Sequence, residues 1–188
     1  MRFCLSTKRL VLDELTAADL FGLRAIARDP DFRKYVLIWL DSEEQIAAFL
    51  QHAIDEAGKV EGRLDYVLAA RDRTTREFIG LTFIEIDPAQ KSTAEIGIVL
   101  LPAFCRKGYG SEILRAFLRF GFETLDMHRV YGKCDELNLA SARLMEQCGL
   151  VFEGTLREHV WLRDHWRSTR YYGMLAGEYV ASPCNPHA

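Results

Sequence analysis

The segment Arg106-Lys107-Gly108-Tyr109-Gly110-Ser111-Glu112 carries the residue types best suited to chemistry in this chain. Two glycines let the backbone approach a ligand closely. The N–H groups of a following helix's first turn, at the positive end of its dipole, then form an anion site. Its natural guest is a pyrophosphate. A nucleotide-kinase loop would need lysine after its second glycine, and Lys107 precedes the first. A dinucleotide loop needs a third small residue where Ile113 stands. A glycine-rich connection with a purely structural role is the remaining alternative. The charge distribution sharpens the choice. Between Leu101 and Arg115, Arg106, Lys107 and Arg115 face only Glu112, a net +2, whereas residues 13–65 hold twelve Asp/Glu against six Lys/Arg, a net -6. One region suits a phosphate and the other a cation, with solvated helix surface as the alternative for the acidic stretch.

The chain of 188 residues is 49% hydrophobic and 27% charged, the mix of an ordinary globular protein, and one domain over residues 1–180 with a tail at 181–188 is expected. The net charge of -3 argues against general nucleic-acid binding, which needs a basic face. The apolar run Ile96 to Leu101 is far short of the ~20 residues of a membrane helix, and no basic segment with an apolar core opens the chain. Neither membrane partner nor secretion is expected, and a cytoplasmic location is. Five cysteines, an odd number, have no Cys-x-x-Cys pair and read as reduced thiols. The five histidines are scattered without ligand spacing, so no metal is expected.

These residues need elements to position them. Arg9 to Leu12 reads as a strand, followed by a helix capped by Thr16. Ser42-Glu43-Glu44-Gln45 has the form of a capping box and leads into a helix to about Ala57. Tyr66 to Ala70 and Phe78 to Ile86 form an antiparallel hairpin around a turn at 72–76, and Thr93 to Leu101 is a further strand closed by Pro102. From Gly108, the apolar positions Ile113, Leu114, Phe117 and Leu118 share one face of a long helix. His128 to Cys134 is a strand, Asn138 to Cys148 a helix stopped by Gly149, and a strand from Phe152 precedes a terminal hairpin. Antiparallel pairs and crossover helices thus share one sheet, an α/β (α+β) fold.

The strand Ala94-Glu95-Ile96-Gly97-Ile98-Val99-Leu100, the glycine loop, Asn138-Leu139-Ala140-Ser141 and Cys148 to Gly154 occur in that order. Together they resemble the GNAT superfamily of acyl-CoA-dependent N-acetyltransferases, and most closely its branch of ribosomal-protein alanine N-acetyltransferases. The likeness runs from about Arg9 to Tyr179. It implies a mixed, mostly antiparallel sheet flanked by helices and splayed at the acyl-CoA site, with acetyl-CoA as cosubstrate. It assigns the pyrophosphate to the backbone of Lys107, Gly108, Tyr109, Gly110 and Ser111, with Arg106 beside them, and the pantetheine arm to Ile98, Val99 and Leu100. Glu95 matches the family's base and Ser141 the acid that protonates the coenzyme A sulfur, with Asn138 more a helix cap than a catalytic group. A backbone N–H near Val99 would donate to the oxyanion.

Two departures stand out. Many relatives place Gln or Arg where this chain has Cys105, and a tyrosine acid where it has Met145. Cys105 as a covalent nucleophile is disfavoured because no base is paired with it. The implied reaction is direct acetyl transfer from acetyl-CoA to a primary amine, with a protein N-terminal amine as the favoured acceptor. The alternatives are a small amine such as a polyamine, aminoglycoside or amino-acid derivative, a longer acyl donor, or a non-catalytic acyl-CoA-binding module. Monomer and homodimer both fit.

Overall fold

A computed structural model describes residues 3–36, 40–59, 61–90 and 92–180. The expected tail at 181–188 and the fifth cysteine, Cys184, lie outside them. The chain begins with β1 (Cys4–Ser6) and β2 (Leu10–Glu14), then a single 3-10 turn (Ala17–Asp19) that runs into α1 (Leu20–Arg28). Thr16 therefore heads a tight turn before the helix proper, and its N–H donates to Asp19 Oδ2 at 2.8 Å. A short α2 (Pro30–Tyr35), absent from the expected elements, follows with Asp29 accepting from the Phe32 N–H. The expected capping box is present at α3 (Glu43–Ala57), where Ser42 and Gln45 bond reciprocally.

The sheet is built from β1, β2, β3 (Asp65–Asp72), β4 (Phe78–Ile86), β5 (Thr93–Leu100), β6 (Arg129–Asp135), β7 (Val151–Leu162) and β8 (His165–Leu175). Its order is β1-β2-β3-β4-β5-β6-β8-β7, and every pairing is antiparallel except β5 with β6. The mixed sheet agrees with expectation. The strand from Phe152 and the first arm of the terminal hairpin are one long strand, β7, whose pairing with β8 is irregular between Leu156 and Val160. Helices α4 (Tyr109–Arg119), α5 (Leu139–Gln147) and α6 (Ala176–Val180) complete the chain.

Both faces of the sheet are covered. Leu68 and Ala70 of β3 face the side of α4 and α5, and Val67 and Ala69 face α1 and α3, so β3 reads as a continuous apolar run. On the α4 side Ile113 and Phe117 are fully buried against Leu10, Ile84 and Val130, each such side chain contributing about 1.5–3 kcal/mol by leaving water.

β5 and β6 stay in register only from Thr93↔Arg129 to Ile96↔Gly132, although β5 continues to Leu100 and β6 to Asp135. The two strands part beyond Ile96. This gap is the expected splay, and it opens toward the glycine loop.

Candidate active site

The glycine loop sits between a 3-10 turn (Pro102–Phe104) and α4. Gly108 is the helix N-cap at φ 80, a left-handed conformation that costs glycine little. The first-turn N–H groups have no intrahelical partner, and no side chain caps them. Gly110 answers a different need: a Cβ there would come within 3.0 Å of Leu144 on α5, so glycine lets α4 and α5 pack closely. Arg106 and Lys107 are exposed, and Lys107 Nζ lies over the Phe104 ring at 5.7 Å. Cys105 is exposed as well, its thiol pushed up by partial burial and by the nearby Asp29.

Below the loop, in the gap between β5 and β6, lies a cavity of ≈ 200 Å³ lined by Glu95, Ile98, Val99, Asn138 and Ser141 among others. These five residues, all expected at the site, do come together. Leu100 instead packs at the edge of the α4-side core. Strand periodicity narrows the expected oxyanion donor, a backbone N–H near Val99. The Leu101 N–H donates to the Ile79 carbonyl on β4 at 2.9 Å, so the N–H of Val99, two residues back, is turned to β4 as well. The N–H groups that face the gap belong to Ile98 and Leu100.

Asn138 caps α5, its Oδ1 accepting from the Ser141 N–H at 3.1 Å, which places Ser141 in the first turn with its hydroxyl toward Cys134. Burial pushes the Cys134 thiol up to about 11. Met145, at the position of the absent tyrosine, is 5% exposed and packs over Gly132, where a Cβ would meet its sulfur at 2.8 Å. It is a core residue.

Glu95 is held firmly. Its Oε2 accepts from Lys133 Nζ at 2.8 Å and from the Tyr131 hydroxyl at 3.1 Å, and its side chain is 13% exposed. Both bonds fall on one oxygen. Burial and the charge of Glu95 push the Tyr131 phenol well above its ordinary range, so it remains a donor.

Lys133 and Tyr131 are additions that the structure makes to the expected site, and so is Glu85. The strand registers Asp65↔Glu85 and Glu85↔Glu95 place three carboxylates in one row across β3, β4 and β5. Like charges directly opposite one another are unfavourable in a sheet. Glu85 also lines the cavity, and its carboxyl is pushed above the ordinary value by partial burial and by Asp65 and Glu95. At the far end Asp65 pairs with His52 Nε2 at 2.8 Å. Glu56, four residues after His52 on α3, stands beside this pair and bonds Lys59. Of the row only Asp65 lies in the acidic stretch 13–65; the row itself depends on cross-strand register.

The acetyltransferase (GNAT) domain family matches residues 9–151, a span that includes the glycine loop and the parting strands just described. The chain belongs to the GNAT family. It is an acyl-CoA-dependent N-acetyltransferase with acetyl-CoA as cosubstrate. An uncharacterized N-acetyltransferase, YnaD, of Bacillus subtilis is 26% identical over 175 residues, covering 93% of this chain and 98% of that protein. The spermidine N(1)-acetyltransferase of Vibrio cholerae is 28% identical over 106 residues, 56% of this chain and 61% of that one. A solved ribosomal L7/L12 alpha-N-protein acetyltransferase in complex with coenzyme A superposes with a TM-score of 0.78 at 18% identity, covering 92% of this GNAT chain and 98% of its own, a likeness of fold alone. Among the described residues, no helix is long and apolar enough to cross a membrane.

Proposed function

We propose that this acetyltransferase acts on a primary amine of a small polycation, with Glu95 as base and Ser141 as acid. The carrying observation is the row Asp65, Glu85, Glu95 leading into the cavity that also holds Ser141. An aliphatic amine with an ordinary pKa near ~10 arrives protonated at neutral pH and must lose that proton before it can attack. Glu95 receives it, directly or through one water, on the oxygen that Lys133 and Tyr131 leave open. The amine nitrogen then attacks the thioester carbonyl, a C–N bond forms, and the oxyanion is met by the N–H of Ile98. The C–S bond breaks, and the departing sulfur takes its proton from the Ser141 hydroxyl. The second proton of the attacking nitrogen returns to the Ser141 oxygen through water, and Glu95 releases the first to solvent.

The Cβ atoms of residues facing each other in the row are about 5 Å apart from strand to strand. Ammonium groups separated by three or four carbons have a similar spacing, roughly 5–6 Å from ordinary bond lengths. A second ammonium thus meets Glu85 while the first reacts beside Glu95, which relieves the like-charge opposition. The spermidine acetyltransferase among the relatives is consistent with this reading. A protein N-terminal amine, the acceptor implied by the branch resemblance, carries one charge and leaves Glu85 and Asp65 unused. A cytoplasmic location belongs to the same proposal, supported by an odd number of cysteines without a Cys-x-x-Cys pair.

The test is a screen of coenzyme A release with acetyl-CoA and an acceptor panel of diamines, spermidine, spermine, aminoglycosides and peptides beginning in Ala or Ser. We expect kcat/KM at least about 10-fold higher for the linear polycations than for the peptides. A preference for the peptides would return the acceptor to a protein N-terminus.

A further inference from the structure

The proposed anion site is made of backbone groups; beside it Arg106 is exposed, Lys107 Nζ lies over Phe104, and Cys105 brings no charge. The guanidinium that does meet the loop comes from a distant part of the chain. Arg9, immediately before β2, donates from Nη1 to the Lys107 carbonyl at 2.9 Å and from Nε to Glu112 Oε2 at 2.7 Å. Its backbone N–H and the Thr7 hydroxyl donate to Glu112 Oε1, at 2.7 and 2.6 Å. The guanidinium covers the Tyr109 ring at 4.2 Å, and its Nη2 stands 3.4 Å from where a Cβ on Gly108 would be.

We propose that Arg9 is the positioning residue of the phosphate loop, supplying from the start of β2 the support that position 105 does not give. The proposal rests on the loop being the pyrophosphate site. Two effects follow from the contacts. In a trans peptide the C=O and the next N–H point in opposite directions, so an Arg9 that holds the Lys107 carbonyl turns the Gly108 N–H the other way, into the anion site. The second effect is electrostatic. Glu112, in the first turn of α4, puts a negative charge near the helix end that must receive a diphosphate. Arg9 pairs with that charge and, with Thr7, draws the carboxylate aside. Arg9 needs no contact with the substrate for either effect.

The test compares acetyl-CoA with acetyl-pantetheine, which has the thioester and lacks the pyrophosphate. Arg9→Ala should raise the coenzyme A Kd and the KM for acetyl-CoA by about 30-fold, with kcat at saturation within about threefold and the KM for acetyl-pantetheine within about twofold. The double variant Arg9→Ala/Glu112→Gln should recover to within about fivefold of wild type, because the uncompensated carboxylate is gone. A coenzyme A Kd within about twofold of wild type in Arg9→Ala, equal losses with the two donors, or no recovery in the double variant would each overturn the proposal. Should Arg9→Ala fail to fold, Arg9→Lys carries the test: it keeps the charge without the guanidinium fork and should lose about fivefold with acetyl-CoA alone. Wild-type affinity in that lysine variant would count against the fork. Gly108→Asp separates the two levels of the argument. If it still binds coenzyme A, the loop assignment itself is wrong; if it does not and the Arg9 variants bind normally, only the role of Arg9 falls.

Discussion

The two ends of the cavity are built on different principles. At the donor end the working groups are backbone N–H donors, fixed by a left-handed Gly108, an uncapped helix start and two strands that part after Ile96. At the acceptor end the working groups are side chains, Glu95, Glu85 and Asp65, lined up only because β3, β4 and β5 pair in one register. On the proposed reading the donor end holds the coenzyme through groups that every residue type carries. In the same proposal the acceptor end reads charge, so a single carboxylate there would change what is bound.

The most severe break falls on the donor end. Gly108→Asp puts a side chain at φ 80 and a negative charge where the diphosphate sits. Coenzyme A affinity should fall by about 100-fold or more, and the thermal stabilisation that coenzyme A gives the wild type should vanish in a melting assay. An unchanged shift would mean that the loop is a structural connection.

Next comes the pair assigned to proton transfer. Glu95→Gln should lower kcat by about 100-fold with coenzyme A affinity kept, and Ser141→Ala by about 10-fold, since water can replace a hydroxyl. Both are read from pH–rate profiles between about pH 6 and 9 and from calorimetric titration of coenzyme A. Wild-type rates in both variants would leave positioning as the whole of catalysis.

The acceptor end is sharpened by Glu85→Gln. With spermidine the KM should rise by about 10-fold, while a monoamine of similar length should change by less than about twofold. Because the Glu85 carboxyl is raised, its charge is complete only at a higher pH than for an ordinary carboxylate. The advantage of wild type over Glu85→Gln should therefore shrink as pH falls through that raised value and be full at neutral pH. An equal loss for monoamine and polyamine would make Glu85 a structural residue.

The contrast between the ends also explains what can be read from the sequence. Gly108 and the cap Asn138 act locally, and local effects leave spacing in the chain, so the loop and the starts of α4 and α5 are legible. The Ser42 capping box is legible for the same reason. Glu85 and Glu95 are visible as residues of two strands, but which residue faces which is decided by the turn between them and by the pleat. Tyr131 and Lys133 reach Glu95 from a strand 36 and 38 residues later in the chain, across the one parallel pairing. The short α2 leaves no periodic signature, because Pro30 and the charged Asp31, Arg33 and Lys34 leave Phe32 as its buried residue. The direction of the Val99 N–H is hidden for another reason: it follows from the hydrogen bond of Leu101 to β4, a tertiary fact.

The smallest effect is expected at Cys105, where the donor end offers a tempting nucleophile. A covalent acetyl-enzyme would require a thiolate close to the thioester, and neither condition is met. The thiol is pushed up from its ordinary value by partial burial and by Asp29, against the weaker opposing charge of Arg106. Its sulfur lies 3.6 Å from the Leu101 carbonyl oxygen, a weak contact in which S–H donates and which further favours the protonated thiol. Cys105 also follows the 3-10 turn at the start of the glycine loop and does not line the cavity that holds Glu95 and Ser141. A bound amine gains from proximity directly, with no second half-reaction to complete. Cys105→Ala should therefore keep kcat/KM within about twofold of wild type, and initial rates with acetyl-CoA and amine varied together should give intersecting double-reciprocal lines. Parallel lines, or an acetylated Cys105 detected by intact mass that passes its acetyl group to added amine, would transfer the chemistry to the donor end and dissolve the division of labour between the two.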